Sequence, residues 1–434
     1  MPSRNSSRFS IVLVLAFASS AATVAFAQTS APDSLSLEEV VGEALRANPE
    51  IAEARAKWRA AEARVPATGA LEDPALEFML DRQPIGDGMA GEKVISLTQM
   101  IPFPGKLGLM SGEARREAEA SKEMAREMVR RVVSEVKESY FELYMIESQI
   151  GAMRESRSAV DAAVSGARAR YETGDAGQQE ILLLQVELSV LDGEIARMEA
   201  MAHSARAKLN LLLAREAEAP LRAPRVAGLS AFDARLEDLI ARGREVRPAV
   251  RAREREKAAA ETAARLARVE YRPDFMLRGG YMRMAEDEQA WQAAVGITLP
   301  LWKGRKQDAL ARAAGYRVEA ADRALEAERN RAAAEIEDEY AQLVANRELA
   351  HRYADEIIPL ADMAYESARA GYLSGRESFL VLLESVRRIT ELKTTYYEYL
   401  AQAETRLALL ERAVGEDLGG IRLGPDAGLD EGKD

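Results

Sequence analysis

Cysteine is absent from the 434-residue chain, which excludes disulfides, thiolate metal sites and a lipid-modified N-terminal cysteine. Histidine is nearly absent. His203 and His351 both lie in charged helical stretches and cannot by themselves assemble a transition-metal cluster. No nucleophile–base pair, phosphate loop or metal-ligand spacing stands out, so neither an enzyme nor a cofactor is expected. Beyond the N-terminus, no apolar run approaches the roughly 18 residues that a membrane-spanning helix requires. That absence leaves a transmembrane barrel open, because its short alternating strands barely register in hydropathy.

The N-terminus itself is ordered in composition. Arg4 and Arg8 precede an apolar stretch over residues 11–17, and small residues then lead to Ala25-Phe26-Ala27 before Gln28. Basic, apolar and A-x-A segments in that succession are a secretory signal peptide, residues 1–27, and predict export. Removing it takes away two arginines and no acids, which moves the formal charge from −12 to −14. With that charge, and with no basic stripe flanked by aromatics, nucleic acid is not an expected partner.

Two Tyr-x-x-Gly turns, Tyr171 to Gly174 and Tyr372 to Gly375, lie 201 residues apart. Pro49, Pro74, Pro102, Gly105 and Tyr140 are answered at nearly the same spacing by Pro248, Pro273, Pro300, Gly304 and Tyr340. Prolines and turn glycines fix backbone geometry, so both halves are expected to bend in the same places. A period near 200 residues is far longer than any solenoid repeat and means duplication of an architectural half. The organisation reads as a first repeat over 28–247, a second over 248–414 and a tail over 415–434 whose last dozen residues read as disordered.

Within each repeat the hydrophobic period changes. Residues 35–70 read as helix interrupted at Asn48-Pro49 and ending at Val65-Pro66. Alternation takes over at about 73–84 and 92–102, around a loop containing Gly86, Gly88 and Gly91. Leu76, Phe78 and Leu80 share one face of the first strand, and Ile95 and Leu97 one face of the second. In the second repeat, strands at about 272–284 and 290–301 place Phe275, Leu277 and Tyr281, then Trp291, Val295, Ile297 and Leu299, on one side. The surrounding helices are saturated with charge and offer no apolar cover, so these faces are expected to meet lipid, with aromatics at the interface.

A proline-free helical pattern then runs from Gly105 to Tyr171, about 65 residues or roughly 100 Å. A second helix is expected over about 176–214. The later half copies both over 305–372 and 376–414, with Ser374 and Glu377 reading as a capping box at the turn. Pro359 interrupts the later rod and predicts a kink. Segment 215–247 reads as connection.

The duplicated order of helix, strand, strand, long helix, turn and helix is joined by two strand exits. These are Gln99-Met100-Ile101-Pro102-Phe103-Pro104-Gly105-Lys106 and Leu299-Pro300-Leu301-Trp302-Lys303-Gly304-Arg305. Together with both Tyr-x-x-Gly tips, this resembles the TolC family of outer-membrane efflux channels over essentially the whole mature chain. The resemblance implies a mainly α fold with a small transmembrane β-barrel portion. In that architecture a homotrimer shares a twelve-stranded barrel, four strands per chain, and continues as an α-helical periplasmic tunnel. It meets a physical need, since four strands cannot close a barrel and open edges are not tolerated in lipid.

The function implied by the resemblance is a passive outer-membrane conduit, coupled through a periplasmic adaptor to an inner-membrane pump. The Ile-Pro-Phe-Pro-Gly-Lys exit looks most like the heavy-metal cation efflux branch. By the same resemblance Tyr171, Thr173, Gly174, Tyr372, Ser374, Gly375 and Arg376 contact the adaptor, while Glu180 and Glu384 line the closed aperture. Three copies of a carboxylate near one axis would repel one another and favour cations. Six residues after Gly375 stands Val381, where a second acid is expected. Pro102, Pro104, Gly105, Pro300 and Gly304 turn strand into helix.

A type I secretion conduit shares the architecture. A periplasmic adaptor would have one hairpin and more strand, and a coiled-coil scaffold would need sustained heptads. The channel reading predicts that the protein leaves the cell envelope only with detergent; clean recovery in the soluble periplasmic fraction would refute it.

Overall fold

The computed structural model describes residues 34–81, 92–226, 228–283, 288–419, 421–424 and 426–429. The signal-peptide segment, the loop glycines 86, 88 and 91 and the last residues of the tail lie outside them. Helix α1 (Leu37–Ala47) opens at Ser36, whose hydroxyl accepts the Glu39 N–H at 3.2 Å. Asn48 then ends α1 and caps α2 (Pro49–Thr68), its side-chain oxygen accepting the N–H groups of Glu50 and Ile51 at 2.9 and 3.3 Å. Pro49 occupies the first helical position, where a missing N–H costs nothing. Pro66 lies inside α2 rather than ending it. It removes one hydrogen bond, and the helix stops two residues later.

Strands β1 (Ala75–Asp81) and β2 (Glu92–Ile101) lead into α3 (Lys106–Glu172), a single helix of 67 residues, and then α4 (Gln178–Leu212). Helix α5 (Leu236–Val246) lies in the stretch read as mere connection. Its short apolar set, headed by the buried Leu239, packs with Ile336, Leu343 and Leu410. Helix α5 stands 199 residues after α1, both 11 residues long, and α6 (Pro248–Val269) starts 199 after α2, so the second copy opens with α5 rather than at Pro248; β3 (Asp274–Arg283), β4 (Gln289–Thr298) and α7 (Gln307–Arg352) follow. A π-helical turn over Tyr353–Ile357 precedes α8 (Ile358–Leu373), which carries Pro359, and α9 (Phe379–Val414) closes the second hairpin. Pro359 cannot donate to the preceding turn and its ring crowds the carbonyl four residues back, so the helix widens there.

One correction falls at this second turn. Ser374 is the C-terminal cap of α8, its hydroxyl donating to the Gly371 carbonyl at 3.1 Å, and α9 begins only after Ser378. Ser374 and Glu377 therefore form no capping box. The Glu377 N–H is taken by the Gly371 carbonyl instead.

The sheet runs β1-β2-β3-β4, all antiparallel. Leu76 opposes Leu97, Phe78 opposes Ile95, Ile95 opposes Tyr281, Leu277 opposes Val295 and Tyr281 opposes Trp291. Opposed residues share a face, so these side chains, with Leu80 and Ile297, make one apolar surface. All of them are exposed, Trp291 to 82%, as is Leu299 just past β4; Phe275, on the same side, is half-buried. On the other face Val94 and Ser96 are buried, and Arg278 donates to the Thr98 hydroxyl at 3.1 Å beside Glu77 at 3.5 Å.

The helical core is threaded by α3, whose buried Val129, Val132, Val136, Tyr140, Leu143 and Ile146 meet α1, α2 and the end of α4. Each such aliphatic side chain contributes about 1.5–3 kcal/mol on full burial. Alanines of α3 recurring at helical spacing, among them Ala114, Ala118, Ala125, Ala163 and Ala167, are buried and let neighbouring helices approach closely. The tail is packed rather than loose as far as it is described. Leu429 is buried, Asp426 accepts Arg126 at 2.8 Å, and the N–H groups of Leu418 and Gly419 reach Glu411 at 3.0 and 2.9 Å.

Tyr140 ties three segments together. Wholly buried, its hydroxyl lies 2.8 Å from the Leu35 carbonyl and 2.9 Å from that of Arg225, and it accepts the Arg225 N–H at 3.0 Å. Replacing it by Phe keeps the ring but strands these groups. Tyr140→Phe is expected to cost about 1–3 kcal/mol, visible as a lowered melting temperature of the detergent-purified protein.

Candidate functional site

Both hairpin tips turn through a left-handed glycine, Gly174 at φ 84° and Gly375 at φ 71°. Positive φ at these places is disfavoured for any side chain with a Cβ. In each tip the glycine N–H returns to a tyrosine carbonyl, Gly174 to Tyr171 at 3.1 Å and Gly375 to Tyr372 at 3.0 Å, and the next N–H reaches one residue further back. These bonds satisfy the carbonyls left over at the end of a helix. Around them Thr173 donates to Asp175 at 2.8 Å, and Arg376 donates to the Ser374 hydroxyl at 2.9 Å.

The two tyrosines differ in environment. Tyr171 is 49% exposed, whereas Tyr372 is 2% exposed and sits in an apolar cluster of Val160, Val164, Leu184, Leu382 and Val386 drawn from both hairpins. Its hydroxyl donates to Glu180 at 2.6 Å, across from one hairpin to the other. Arg170 completes the group: its guanidinium lies over the Tyr372 ring at 5.2 Å and 3.8 Å from the same Glu180 oxygen. Two turns further along α4, Glu187 accepts Arg387 of α9 at 2.9 Å. The tips are thus tied twice by charged bonds, over an apolar base.

Glu180 is 9% exposed and bonded to Tyr372; Glu384 is exposed on α9, one turn from Arg387. Val381 is exposed beside Leu380. Arg170 and the Glu187–Arg387 pair escape sequence reasoning. Their nearest signal is the seven-residue spacing of Glu180 and Glu187, which puts both on one face of α4.

At the opposite end of α3, Pro102, Pro104 and Gly105 carry β2 into the helix, with Gly105 at φ 95°. The next residue, Lys106, is buried. Its ammonium lies 2.9 Å from Asp274 and 3.5 Å from Glu270, and Asp274 also accepts the Phe103 N–H at 2.7 Å. Both acids belong to the second copy of the repeat. In the equivalent turn around Pro300 and Gly304, Lys303, Arg305 and Lys306 are exposed and meet no acid among the described residues.

The sequence profile of the family described as outer membrane efflux protein matches residues 40–215 and 239–416, two stretches that begin within α1 and α5. The chain belongs to this outer membrane efflux family. Its fold is that of solved channel structures of low sequence identity. CusC superposes with a TM-score of 0.74 at 18% identity, covering 88% of this chain and 92% of its own. VceC of Vibrio cholerae gives 0.73 at 16%, over 88% and 96%. MtrE of Neisseria gonorrhoeae, solved in an open state, gives 0.73 at 17%, over 88% and 89%. A search of curated proteins by sequence gives no match. As an outer membrane efflux protein the chain is a channel component, mainly helical with a small four-stranded sheet.

Burial, and then donation to Glu180, pushes the Tyr372 phenol up to about 12 from its ordinary 10.0, against the pull of Arg170. A raised value favours the neutral, donating form in the folded state. The contribution is fully present below about pH 10 and fades only as pH rises through about 12. Tyr372→Phe is expected to weaken the tip by roughly 1.5–3 kcal/mol, read as faster hydrogen exchange in α8 and the start of α9. In the native protein, protection by this phenol should stay level from pH 7 to pH 9.

Proposed function

We propose that the chain is the outer-membrane conduit of a tripartite efflux system and acts as a homotrimer. The carrying observation is the sheet: four strands, two unpaired edges, and an apolar face left bare. Three such sheets closing on one another satisfy every edge and present Leu76, Phe78, Leu80, Ile95, Leu97, Phe275, Leu277, Tyr281, Trp291, Val295, Ile297 and Leu299 to lipid. Residues 1–27 direct export and are then removed, and α3 with α7–α8 reaches roughly 100 Å into the periplasm.

At the far end, the tips around Tyr171, Thr173 and Gly174 and around Ser374, Gly375 and Arg376 meet a periplasmic adaptor carried by an inner-membrane pump. We assign the Tyr372–Glu180–Arg170 group to holding the two hairpins together in the closed state, so that opening must break it. Glu384 is placed on the aperture, where three exposed copies would attract cations. Heavy-metal cations are the proposed cargo, on the strength of the Ile-Pro-Phe-Pro-Gly-Lys exit. The pump, not the conduit, selects them.

Glu384→Ala is expected to raise single-channel conductance in planar bilayers and to lower cation preference; no change in either removes Glu384 from the aperture. Gly375→Val should abolish efflux while membrane insertion and trimer formation persist. Loss of the trimer instead would assign the turn a purely structural role.

A further inference from the structure

The duplicated chain contains, between its own two halves, a template for the contact between copies. Inside the chain, β2 of the first repeat pairs with β3 of the second, with Gln99 opposite Leu277 and Ile101 opposite Phe275. Around the proposed trimer the same junction must recur between β4 of one copy and β1 of the next. Pro74 and Pro273, which lead into β1 and β3, are 199 residues apart; Pro102 and Pro300, which follow β2 and β4, are 198 apart. Carried over by these landmarks, Gln99–Leu277 becomes Ile297 opposite Phe78 of the next copy, and Ile101–Phe275 becomes Leu299 opposite Leu76.

A second observation agrees with that register. Directly opposed residues share a face, and Phe78, Leu76, Ile297 and Leu299 are all exposed on the apolar side. A slip of one residue would set Ile297 against Met79, which faces the other way, and would bury lipid-facing side chains in the lumen. Barrel geometry agrees as well. Followed through the observed pairings and across this seam, the register advances by about six residues per copy, or about 18 around twelve strands. At about 3.3 Å per residue and about 4.8 Å between strands the strands tilt by roughly 45°, as transmembrane barrels do.

Charge complementarity marks the periplasmic end of the same seam. Below the β2–β3 junction, Lys106 is held by Asp274 and Glu270. Gly304 answers Gly105 at a spacing of 199, so Arg305 answers Lys106, and it stands exposed with Lys303 and Lys306 and meets no acid among the described residues. On the other edge, just before β1, Glu72 and Asp73 are exposed and in no ion pair among the described residues. We infer that copies of this chain join through a β4–β1 seam in the Ile297–Phe78 register, closed at its periplasmic end by Arg305 and its neighbouring lysines against Glu72 and Asp73 of the next copy. This rests on the trimeric channel reading and supplies its interface.

The cysteine-free chain suits a cross-linking test in membranes. Phe78→Cys with Ile297→Cys should give covalently linked dimers and trimers on mild oxidation, because opposed Cα atoms about 4.5–5.5 Å apart suit a disulfide. Met79→Cys with Ile297→Cys should stay unlinked. Pairing Phe78→Cys with Val295→Cys or Leu299→Cys, two residues off, should link at least tenfold more slowly. Leu76→Cys with Leu97→Cys, opposed within one chain, verifies that oxidation reaches the sheet. Arg305→Glu should lower the temperature at which the trimer dissociates in detergent, and adding Asp73→Arg should restore it. A trimer that links preferentially through Met79, or through one of the displaced pairs, overturns the seam while leaving the channel intact. No trimer from the unsubstituted protein under amine cross-linking would overturn the channel reading itself. Unchanged trimer stability in Arg305→Glu removes the charged closure.

Discussion

An unpaired strand edge carries a row of N–H and C=O groups that hydrocarbon cannot solvate, each costing several kcal/mol. Within one chain β1 and β4 are both such edges. A four-stranded sheet cannot curl far enough to join them, and the proposed trimer answers that need. That single constraint orders the rest of the molecule. It asks for repetition, which the duplicated sequence already began, and it asks the strands to be level with one another, which the paired prolines enforce. It also leaves one face apolar with no helix over it, something a soluble protein of this size would avoid.

The helices obey a different rule. They are too long to gather round one centre, so the core is spread into several small clusters along α3 and α9. Between clusters the wall is held by alanines and by ion pairs such as Arg406–Glu339 at 3.1 Å and Lys393–Glu155 at 3.0 Å. Arg406–Glu339 is half-buried; the Lys393–Glu155 pair is exposed, and such pairs contribute little individually. Their value lies in letting long rods lie side by side in water without an apolar surface that would aggregate them. The buried tie at Tyr140 and the packed tail fasten the rods at mid-length, leaving the tips as the places where small clusters and a few charged bonds decide the geometry.

Much of this was legible from local pattern. Alternation at Leu76, Phe78 and Leu80 and at Val295, Ile297 and Leu299 marks strands because side-chain direction in a strand has period two. Prolines and the tip glycines mark bends because their backbone preferences are nearly absolute. Other features were not legible, for definite reasons. Helix α5 is short and flanked by proline and mixed charge, and it is helical because Leu239 finds a partner in α7 and α9. Ser374 and Glu377 match a capping pattern, yet the preceding helix claims Ser374 first. The Tyr372–Glu180 bond joins residues 192 positions apart, and no spacing rule within one helix can announce it. Lys106 belongs to a strand exit that is conspicuous in the sequence, but its burial depends on Asp274, 168 positions away, which no local pattern announces.

The wide turn at Tyr353–Ile357 has a role in counting. From Tyr140 to Tyr171 the first rod takes 31 steps, and from Tyr340 to Tyr372 the second takes 32. An extra residue in an ordinary helix would advance everything beyond it by about 1.5 Å and rotate it by about 100°. The second tyrosine would then point away from the first hairpin. A π-helical turn accommodates one surplus residue, so the insertion is absorbed before the tip and the later helix resumes in phase. Two halves of unequal length thereby finish in step, and deleting the surplus residue would return this turn to an ordinary helix with both tips still in phase.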